Sequence, residues 1–261
     1  MIDVTLYDVM FSHNKSAGSL ELYNEELIYT KEIKPIAVYT DFSTHLIRNN
    51  KHKHSYNIAW IIESPEYSKY DCLEEFDLIL THDEHILGNY NKSILFPIGG
   101  CWVDPKFENF NKTKNISIIA SEKTYTYGQK LRHVIIRNFN LDVYGRGYNK
   151  IDNKSTALFD YKFSVIIENC STKYYFSEKL IDCFISKTIP IYFGAEELPK
   201  EFDERGIIRF DAIEGFKELY NNFDYVYENY LDVIEHNRKI ALDYMIPEDR
   251  LFKILKSVGY K

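Results

Sequence analysis

The sequence predicts an α/β protein built from parallel sheets in two domains. Short apolar runs rich in β-branched residues alternate with longer polar stretches, which is typical of βα units. One unit is complete: a buried strand at residues 163–167, a helix beginning after Ser177, and a second strand at residues 189–193. The length of 261 residues suits two domains. We expect ligands at the carboxyl ends of these strands.

Composition and charge exclude several classes of protein. A formal net charge of −7 disfavours binding to a nucleic-acid backbone. The four cysteines lie far apart without a C-x-x-C pair, so neither a zinc site nor a disulfide framework is expected. No charged and apolar leader follows Met1, and no apolar run is long enough for a membrane span. We therefore expect a soluble, cytoplasmic protein without a nucleic-acid partner.

The first half contains apolar runs that predict five strands with mostly helical crossovers, at residues 2–7, 36–39, 58–62, 78–80 and 94–96. The third strand ends in I-E-S-P, where Glu63 leaves the strand and Pro65 prevents an early helix start. A carboxylate is thereby placed at the carboxyl edge of the sheet. Alternatively, Glu63 is a solvated loop residue or caps a helix near Tyr67.

His82 and His85 follow the fourth strand with Asp83 and Glu84 between them, and this cluster resembles a set of metal ligands. A third and a fourth ligand are not evident, however. The same residues fit the acidic start of a helix equally well. We therefore expect no metal site here.

Residues 97–115 interrupt the alternation, because Pro97, Gly99, Gly100 and Pro105 fall within them. We place the domain boundary there and predict a first domain of residues 1–105 and a second of residues 106–245. Residues 246–261 are expected to form a final helix that crosses back to the first domain. A cleft between two domains is the usual location of a ligand.

The second half is predicted to contain further strands at residues 116–120 and 207–210, a strand with a glycine-bearing turn at residues 141–150, and amphipathic helices from residue 213 to residue 260. After the first of these strands, the apolar spacing of Leu131, Val134, Ile135 and Phe139 predicts a helix.

Three cations of this region, Lys123, Lys130 and Arg132, are expected to converge on phosphate oxygens. Arginine suits this function because its planar guanidinium binds two oxygens and keeps its charge. The alternative is a plain surface helix.

The helix start at Ser177 is predicted to bind an anion. Free main-chain N–H groups and the helix dipole favour a diphosphate, and Lys179 adds a full positive charge. Glu178 would be repelled by phosphate and is better suited to the hydroxyls of a ribose. Alternatively, Ser177 and Glu178 only cap the helix and Lys179 is solvated.

The run ENCSTKYYFSEKLIDCFISKTIPIYFG resembles the signature of family 10 glycosyltransferases, the α-1,3/1,4-fucosyltransferases. Ser177 replaces the usual threonine. The resemblance implies that Asn169, Tyr175, Glu178 and Lys179 face a guanine nucleotide, with Tyr175 stacking on the base.

Other segments extend this resemblance. The E-S-P string after a tryptophan-bearing strand implies that Glu63 is the general base, and D-V-Y-G-R-G at residues 142–147 resembles a further family run. Arg132 is the best match for an arginine that contacts the donor diphosphate, with Arg137 as the competing candidate.

The family resemblance implies a GT-B fold, in which two Rossmann-like domains face each other across a cleft. It further implies an inverting transfer of fucose from GDP-fucose to a hydroxyl of a glycan acceptor, without a cofactor or metal ion. Two alternatives remain: a transferase that uses another nucleotide sugar, and a non-catalytic carbohydrate-binding module. The acceptor, its linkage and the oligomeric state are not readable from these motifs. The family's eukaryotic members carry a membrane anchor, so its absence suggests a bacterial or viral cytoplasmic enzyme.

Overall fold

The computed structural model describes residues 1–8, 15–19, 22–106, 110 and 112–260. Within these residues the strands form two separate sheets, one of six strands and one of five. All neighbouring strands pair in parallel. The carboxyl ends of the strands therefore lie along one edge of each sheet.

The first sheet consists of β1 (Ile2–Tyr7), β2 (Leu27–Thr30), β3 (Ile36–Thr40), β4 (Tyr56–Trp60), β5 (Leu78–Thr81) and β6 (Ser93–Leu95). Its strand order is β2-β1-β3-β4-β5-β6. The central strands β3 and β5 are buried throughout, because apolar cores cover both faces of the sheet. β2 was not predicted, since this edge strand buries only Leu27 and has no buried apolar run.

The connections of the first half differ from the predicted helical crossovers. Among the described residues of this half, the α-helices are α1 (Ile47–Asn50) and α2 (Glu84–Asn89), and both are short. Turns and 3-10 segments replace the others. The sequences between the strands lack a sustained helical apolar spacing, and Pro65 has no N–H for a helical hydrogen bond.

The second sheet consists of β7 (Lys114–Ile119), β8 (Asp142–Tyr144), β9 (Tyr161–Ile167), β10 (Ile189–Phe193) and β11 (Ile208–Arg209). Its order is β11-β10-β9-β7-β8, so β9 and β10 lie inside the sheet. All residues of β9 except Lys162 are buried. These two strands form the parallel pair that the sequence predicted.

The remaining helices are α3 (Tyr127–Asn138), α4 (Ser155–Leu158), α5 (Glu178–Ile185), α6 (Ile213–Asn221), α7 (Leu231–Ala241) and α8 (Pro247–Ser257). None of the described helices has the length and apolarity that a membrane crossing requires. The predicted buried face of α3 was partly wrong: Arg132 is 7% exposed, whereas Val134 is 38% exposed. Gly128, Leu131, Arg132 and Ile135 share the buried face of α3, and Arg132 is held there by its hydrogen bond to the Ile167 carbonyl oxygen.

Helix α8 packs against the first sheet although it ends the chain. Leu251 and Leu255 are buried in the same core as the strands of that sheet. The buried carboxylate of Glu248 accepts hydrogen bonds from the Ser16 hydroxyl at 2.7 Å and the Ala17 N–H at 2.6 Å. The C-terminal helix therefore contributes both apolar and polar contacts to the first half of the molecule.

Candidate active site

A cleft of about 430 Å³ lies where the carboxyl ends of the two sheets meet. Its walls are the segments that directly follow β1, β3, β4 and β6 of one sheet and β7 and β9 of the other. The candidate residues that line it are Glu63, Lys123, Asn169, Tyr175, Ser177, Glu178 and Lys179. Arg132 is not among the lining residues.

The two halves of the molecule are joined directly beside this cleft. Gly99 forms a parallel bridge with Ser177, and the Trp102 N–H donates to the Asp182 carboxylate at 2.6 Å. Gly99 has a φ of +65°, and a Cβ there would lie 2.8 Å from the Tyr244 carbonyl oxygen. A residue with a side chain at position 99 would therefore clash with Tyr244 and displace the segment that forms the bridge with Ser177 beside the cleft.

The start of α5 is held by a buried carboxylate, Glu168, at the end of β9. Its Oε1 accepts from the Ser177 N–H at 2.9 Å, and its Oε2 accepts from the Ser177 hydroxyl at 2.7 Å. The Lys179 Nζ lies 3.3 Å from the same Oε2. Glu168 was not predicted as a site residue, although the polar pair that ends the strand was a signal for it. This carboxylate fixes the helix start relative to the sheet.

Glu178, which lines the cleft, belongs to a network of charged groups. Lys154 Nζ lies 3.0 Å from Glu178 Oε1 and 2.8 Å from Asp182 Oδ2, and Lys179 Nζ lies 3.6 Å from Glu178. Burial opposes the ionisation of Glu178, but Lys154 and Lys179 more than compensate and hold its pKa well below the usual value. Glu178 is therefore an ionised, neutralised acceptor for hydrogen bonds. Lys154 was not predicted as a site residue because it lies 24 and 28 residues before Glu178 and Asp182 in the sequence.

Arg132 supports the end of β9 from behind the cleft. Its Nε donates to the Ile167 carbonyl oxygen at 3.0 Å, and its Nη2 donates to the same oxygen and to Asn169 Oδ1 at 3.3 Å. The N-terminus of α3 lies so close that a Cβ on Gly128 would meet the Glu168 carbonyl oxygen at 1.8 Å. The guanidinium orients Asn169, whose side chain does line the cleft.

The predicted convergence of Lys123, Lys130 and Arg132 on one site is not observed. Of the three, Lys123 alone lines the cleft. Lys130 is exposed on α3, and Arg137 lies in the last turn of that helix. Arg132 instead points toward the sheet, where its Nε donates to the Ile167 carbonyl oxygen.

Tyr175 and His82 form a buried contact between the two halves. Tyr175 is 3% exposed, and its ring centroid lies 4.8 Å from that of His82. Burial lowers the pKa of His82 to about 4, so its ring is neutral near pH 7. His82 Nε2 lies 3.0 Å from the Glu63 carbonyl oxygen, which assigns the ring proton to Nε2.

The His82–His85 segment is organised as a helix start. Asp83 caps α2 and accepts hydrogen bonds from the main-chain N–H groups of His85 at 2.8 Å and Ile86 at 3.4 Å. In the part of the chain that the structure describes, no three His, Cys, Asp or Glu residues are grouped to hold a metal ion.

Glu63 lies after β4 and faces the cations of the other half across the cleft. Burial raises the pKa of its carboxyl group, and Lys179 and Lys123 act in the opposite direction. Glu63 does not cap a helix, since Tyr67 donates its N–H to the Ser64 carbonyl oxygen at 2.8 Å in a turn. The side chain is thus a partly buried carboxylate at the cleft surface.

Two further carboxylates line the cleft and were missed from the sequence. Asp8 follows β1 and accepts a hydrogen bond from the Thr40 hydroxyl, and Asp41 follows β3. An acidic residue directly after a buried strand was the available signal, as it was for Glu63.

The cleft therefore combines two opposite chemical surfaces. One wall carries carboxylates that are able to accept a proton, and the other carries lysines and the N–H groups of a helix start. Such an arrangement binds an anionic leaving group on one side and activates a hydroxyl on the other.

Comparison with known proteins points in the same direction. Residues 109–239 match a family model described as glycosyltransferase family 10 (fucosyltransferase), C-terminal part. The chain is 34% identical to the alpha-(1,3)-fucosyltransferase FucT of Helicobacter pylori over 100 residues, 37% of this chain and 21% of that protein. The match thus covers about a fifth of the relative's length.

Two solved structures share the fold. A crystal structure of alpha1,3-fucosyltransferase with GDP has a TM-score of 0.50 at 15% identity, covering 93% of this chain and 80% of that one. A crystal structure of TarM has a TM-score of 0.55 at 13% identity, covering 86% of this chain and 54% of that one. The predicted GT-B fold is confirmed: two Rossmann-like sheets face each other across the cleft.

Proposed function

Because the chain belongs to glycosyltransferase family 10, the fucosyltransferase family, we propose that it transfers fucose from GDP-fucose to a hydroxyl of a glycan acceptor. The observation that carries this proposal is that Glu63 and the α5 start line one cleft from opposite sides. A base and an anion-binding site are the two groups that such a transfer requires.

The donor half of the site is assigned to the second domain, residues 106–245. The main-chain N–H groups at the start of α5 and the charges of Lys179 and Lys123 bind the diphosphate. Glu178 accepts hydrogen bonds from the ribose, because its lysine partners keep it ionised beside a phosphate.

The rest of the predicted donor set receives supporting functions in this proposal. Ser177 caps the helix and stays bonded to Glu168. Asn169 and Tyr175 line the part of the cleft that is assigned to the guanine base. Arg132 holds Asn169 in place instead of contacting the donor.

The acceptor half is assigned to the first domain, residues 1–105, which the helix of residues 246–261 braces. Glu63 takes the proton of the acceptor hydroxyl while its oxygen attacks the anomeric carbon from the face opposite the diphosphate. The new C–O bond forms as the bond to the diphosphate oxygen breaks, so the configuration inverts. The diphosphate leaves toward Lys179 and the α5 N–H groups, and this positive field takes the place of a metal ion.

Two other functions remain to be separated from this one. A transferase with another nucleotide sugar would bind the diphosphate at the same α5 start but would recognise a different nucleobase. A non-catalytic carbohydrate-binding protein would not need Glu63 opposite a cationic helix start, and the presence of both favours an enzyme.

Calorimetric titration with GDP, UDP and CDP tests the donor, followed by transfer assays with GDP-fucose and a glycan panel. We expect GDP to bind at least tenfold more tightly than the other two and fucose to be transferred. Preference for UDP or CDP would favour the related transferase. Binding of no nucleotide together with binding of glycans would favour the non-catalytic module.

A further inference from the structure

Asp41 is a buried carboxylate of the cleft that holds the main chain of Glu63. It is 5% exposed and directly follows β3. Its Oδ1 accepts hydrogen bonds from the N–H groups of Ile62 at 3.1 Å and Glu63 at 3.2 Å and from the Ser68 hydroxyl at 2.7 Å. Its Oδ2 also lies 3.2 Å from the Ile62 nitrogen. One side chain thus binds both ends of the segment that carries Glu63.

This segment has little other main-chain support at its start. The last strand-type hydrogen bond runs from the Ile61 N–H to the Leu80 carbonyl oxygen at 2.8 Å. Beyond it, the Glu63 N–H is bonded to Asp41 and the Glu63 carbonyl oxygen accepts from His82. With both main-chain groups occupied by buried partners, the Glu63 side chain is directed to the cleft that it lines.

We propose that Asp41 is a positioning residue that fixes Glu63 for proton transfer. The inference rests on the proposed function of Glu63 as the base. Displacement of a reacting group by about 1 Å is able to cost on the order of 10²-fold in rate.

Electrostatics give this pair of carboxyl groups a measurable signature. Burial raises the pKa of Asp41 to about 7, in spite of the hydrogen bonds from Ser68 and the main chain, and the Glu63 charge raises it further. Burial also raises the pKa of Glu63. The two groups are close enough to titrate together, so the last proton leaves the pair near neutral pH.

The other charged groups that face the pair come from both halves of the molecule. Lys179 and Lys123 lower the pKa of Glu63 and Glu178 raises it, whereas His82 is neutral and hydrogen-bonded to its main chain. Asp8 lies on the same wall of the cleft. None of these contacts involves Asp41.

The test compares pH profiles of kcat/KM for the parent chain and Asp41→Asn. We expect Asp41→Asn to lower kcat/KM about 10- to 10²-fold. The ascending limb of the variant's profile should move to lower pH, because the Asp41 carboxyl group, whose pKa is about 7, is then absent and Glu63 titrates alone. GDP affinity should stay within about twofold, which also shows that the variant is folded.

A second variant, Ser68→Ala, is expected to shift the pH profile in the opposite direction. The Ser68 hydroxyl stabilises the charged form of Asp41, so Ser68→Ala should move the ascending limb to higher pH. Asp77→Asn is the matched control, since Asp77 Oδ2 accepts the Asn57 N–H at 2.8 Å at the other end of β4. It should lower the melting temperature and leave the pH profile unchanged.

Superimposable pH profiles for the parent and Asp41→Asn would overturn the inference, as would a parallel loss of GDP binding and transfer. Failure of the assigned role of Glu63 has a different result, because Glu63→Gln would then transfer fucose at the parental rate, and failure of the proposed function would appear as no fucose transfer by the parent chain. That result would remove the basis for Asp41 as well.

Discussion

The two walls of the cleft differ in charge and in construction. Among the described lining residues, the first-sheet wall carries Asp8, Asp41 and Glu63 and no lysine or arginine. The second-sheet wall carries Lys123 and Lys179 on and near a helix start, and its carboxylate Glu178 is paired with Lys154 and Lys179. The first wall is assembled from separate loops, whereas the second is largely one β-loop-α unit.

This difference indicates which substrate each wall accepts. Anions are stabilised at a helix N-terminus with adjacent lysines, and a row of carboxylates repels them. We therefore expect the nucleotide on the second-sheet wall and a hydroxyl that must lose a proton on the first. Changes on the two walls should accordingly affect different measurements.

Replacement of the proposed base is expected to have the largest effect. Glu63→Gln keeps the shape and hydrogen bonding of the side chain but removes its basicity, so transfer should fall by roughly 10²–10⁴-fold. GDP affinity, measured by calorimetry, should barely change. Glu74→Gln, on the exposed surface of the same half, is the control. If Glu63→Gln also lost GDP binding, Asp8 would become the next candidate base.

On the opposite wall, Lys179→Ala should weaken GDP binding by about 1–3 kcal/mol, because a charge-assisted contact with the diphosphate is lost. Transfer should fall at least as much, since the leaving group gains charge. Lys162→Ala is a matched control, as Lys162 pairs with Glu228 on the surface at 3.3 Å. Unchanged GDP affinity of Lys179→Ala would place the diphosphate elsewhere.

Replacement of Arg132, which lies behind the second-sheet wall, is expected to have a smaller effect. Arg132→Met leaves the Ile167 carbonyl oxygen and the Asn169 side chain without their donor, at a cost of about 1–3 kcal/mol in the free energy of unfolding. GDP affinity should decrease less than in Lys179→Ala, and Arg137→Met should change neither quantity. If Arg132→Met instead lost more GDP affinity than Lys179→Ala at unchanged stability, Arg132 would contact the diphosphate directly.

Chelation should have the smallest effect of all. Transfer in the presence of EDTA should equal transfer without it, because lysines and helix N–H groups supply the positive field. Assays with added Mg²⁺ and Mn²⁺ provide the comparison. Loss of activity in EDTA that a divalent ion restores would show that this electrostatic account of the donor wall is wrong.

The construction of the two walls also explains what the sequence predicted. The α5 start was readable because the strand, the cap and Lys179 follow one another closely, so local signals are sufficient. Glu63 was readable through an E-S-P string at a strand end. Asp41 follows a strand in the same way, but its contact with Glu63 was not predictable, because its hydrogen bonds reach Ile62 and Glu63 across 21 and 22 residues of sequence.

Arg132 shows a second limit of prediction from the sequence. The apolar spacing of α3 did not show that Arg132 lies on the buried face, because its partners Ile167 and Asn169 are 35 and 37 residues away in sequence. The edge strand β2 was missed for a third reason: it has only four residues and buries only Leu27, so its sequence does not show the extended apolar run of a buried strand.

A crystal structure of the chain with GDP tests the assignment of the two walls most directly. We predict the diphosphate at the start of α5, within hydrogen-bond distance of Lys179 Nζ and the adjacent main-chain N–H groups, with Glu63 on the opposite side. A second cavity of about 640 Å³ lies at the carboxyl ends of β10 and β11 and is lined by Arg209 and Tyr225. GDP bound there, with the cleft between the sheets empty, would contradict the account.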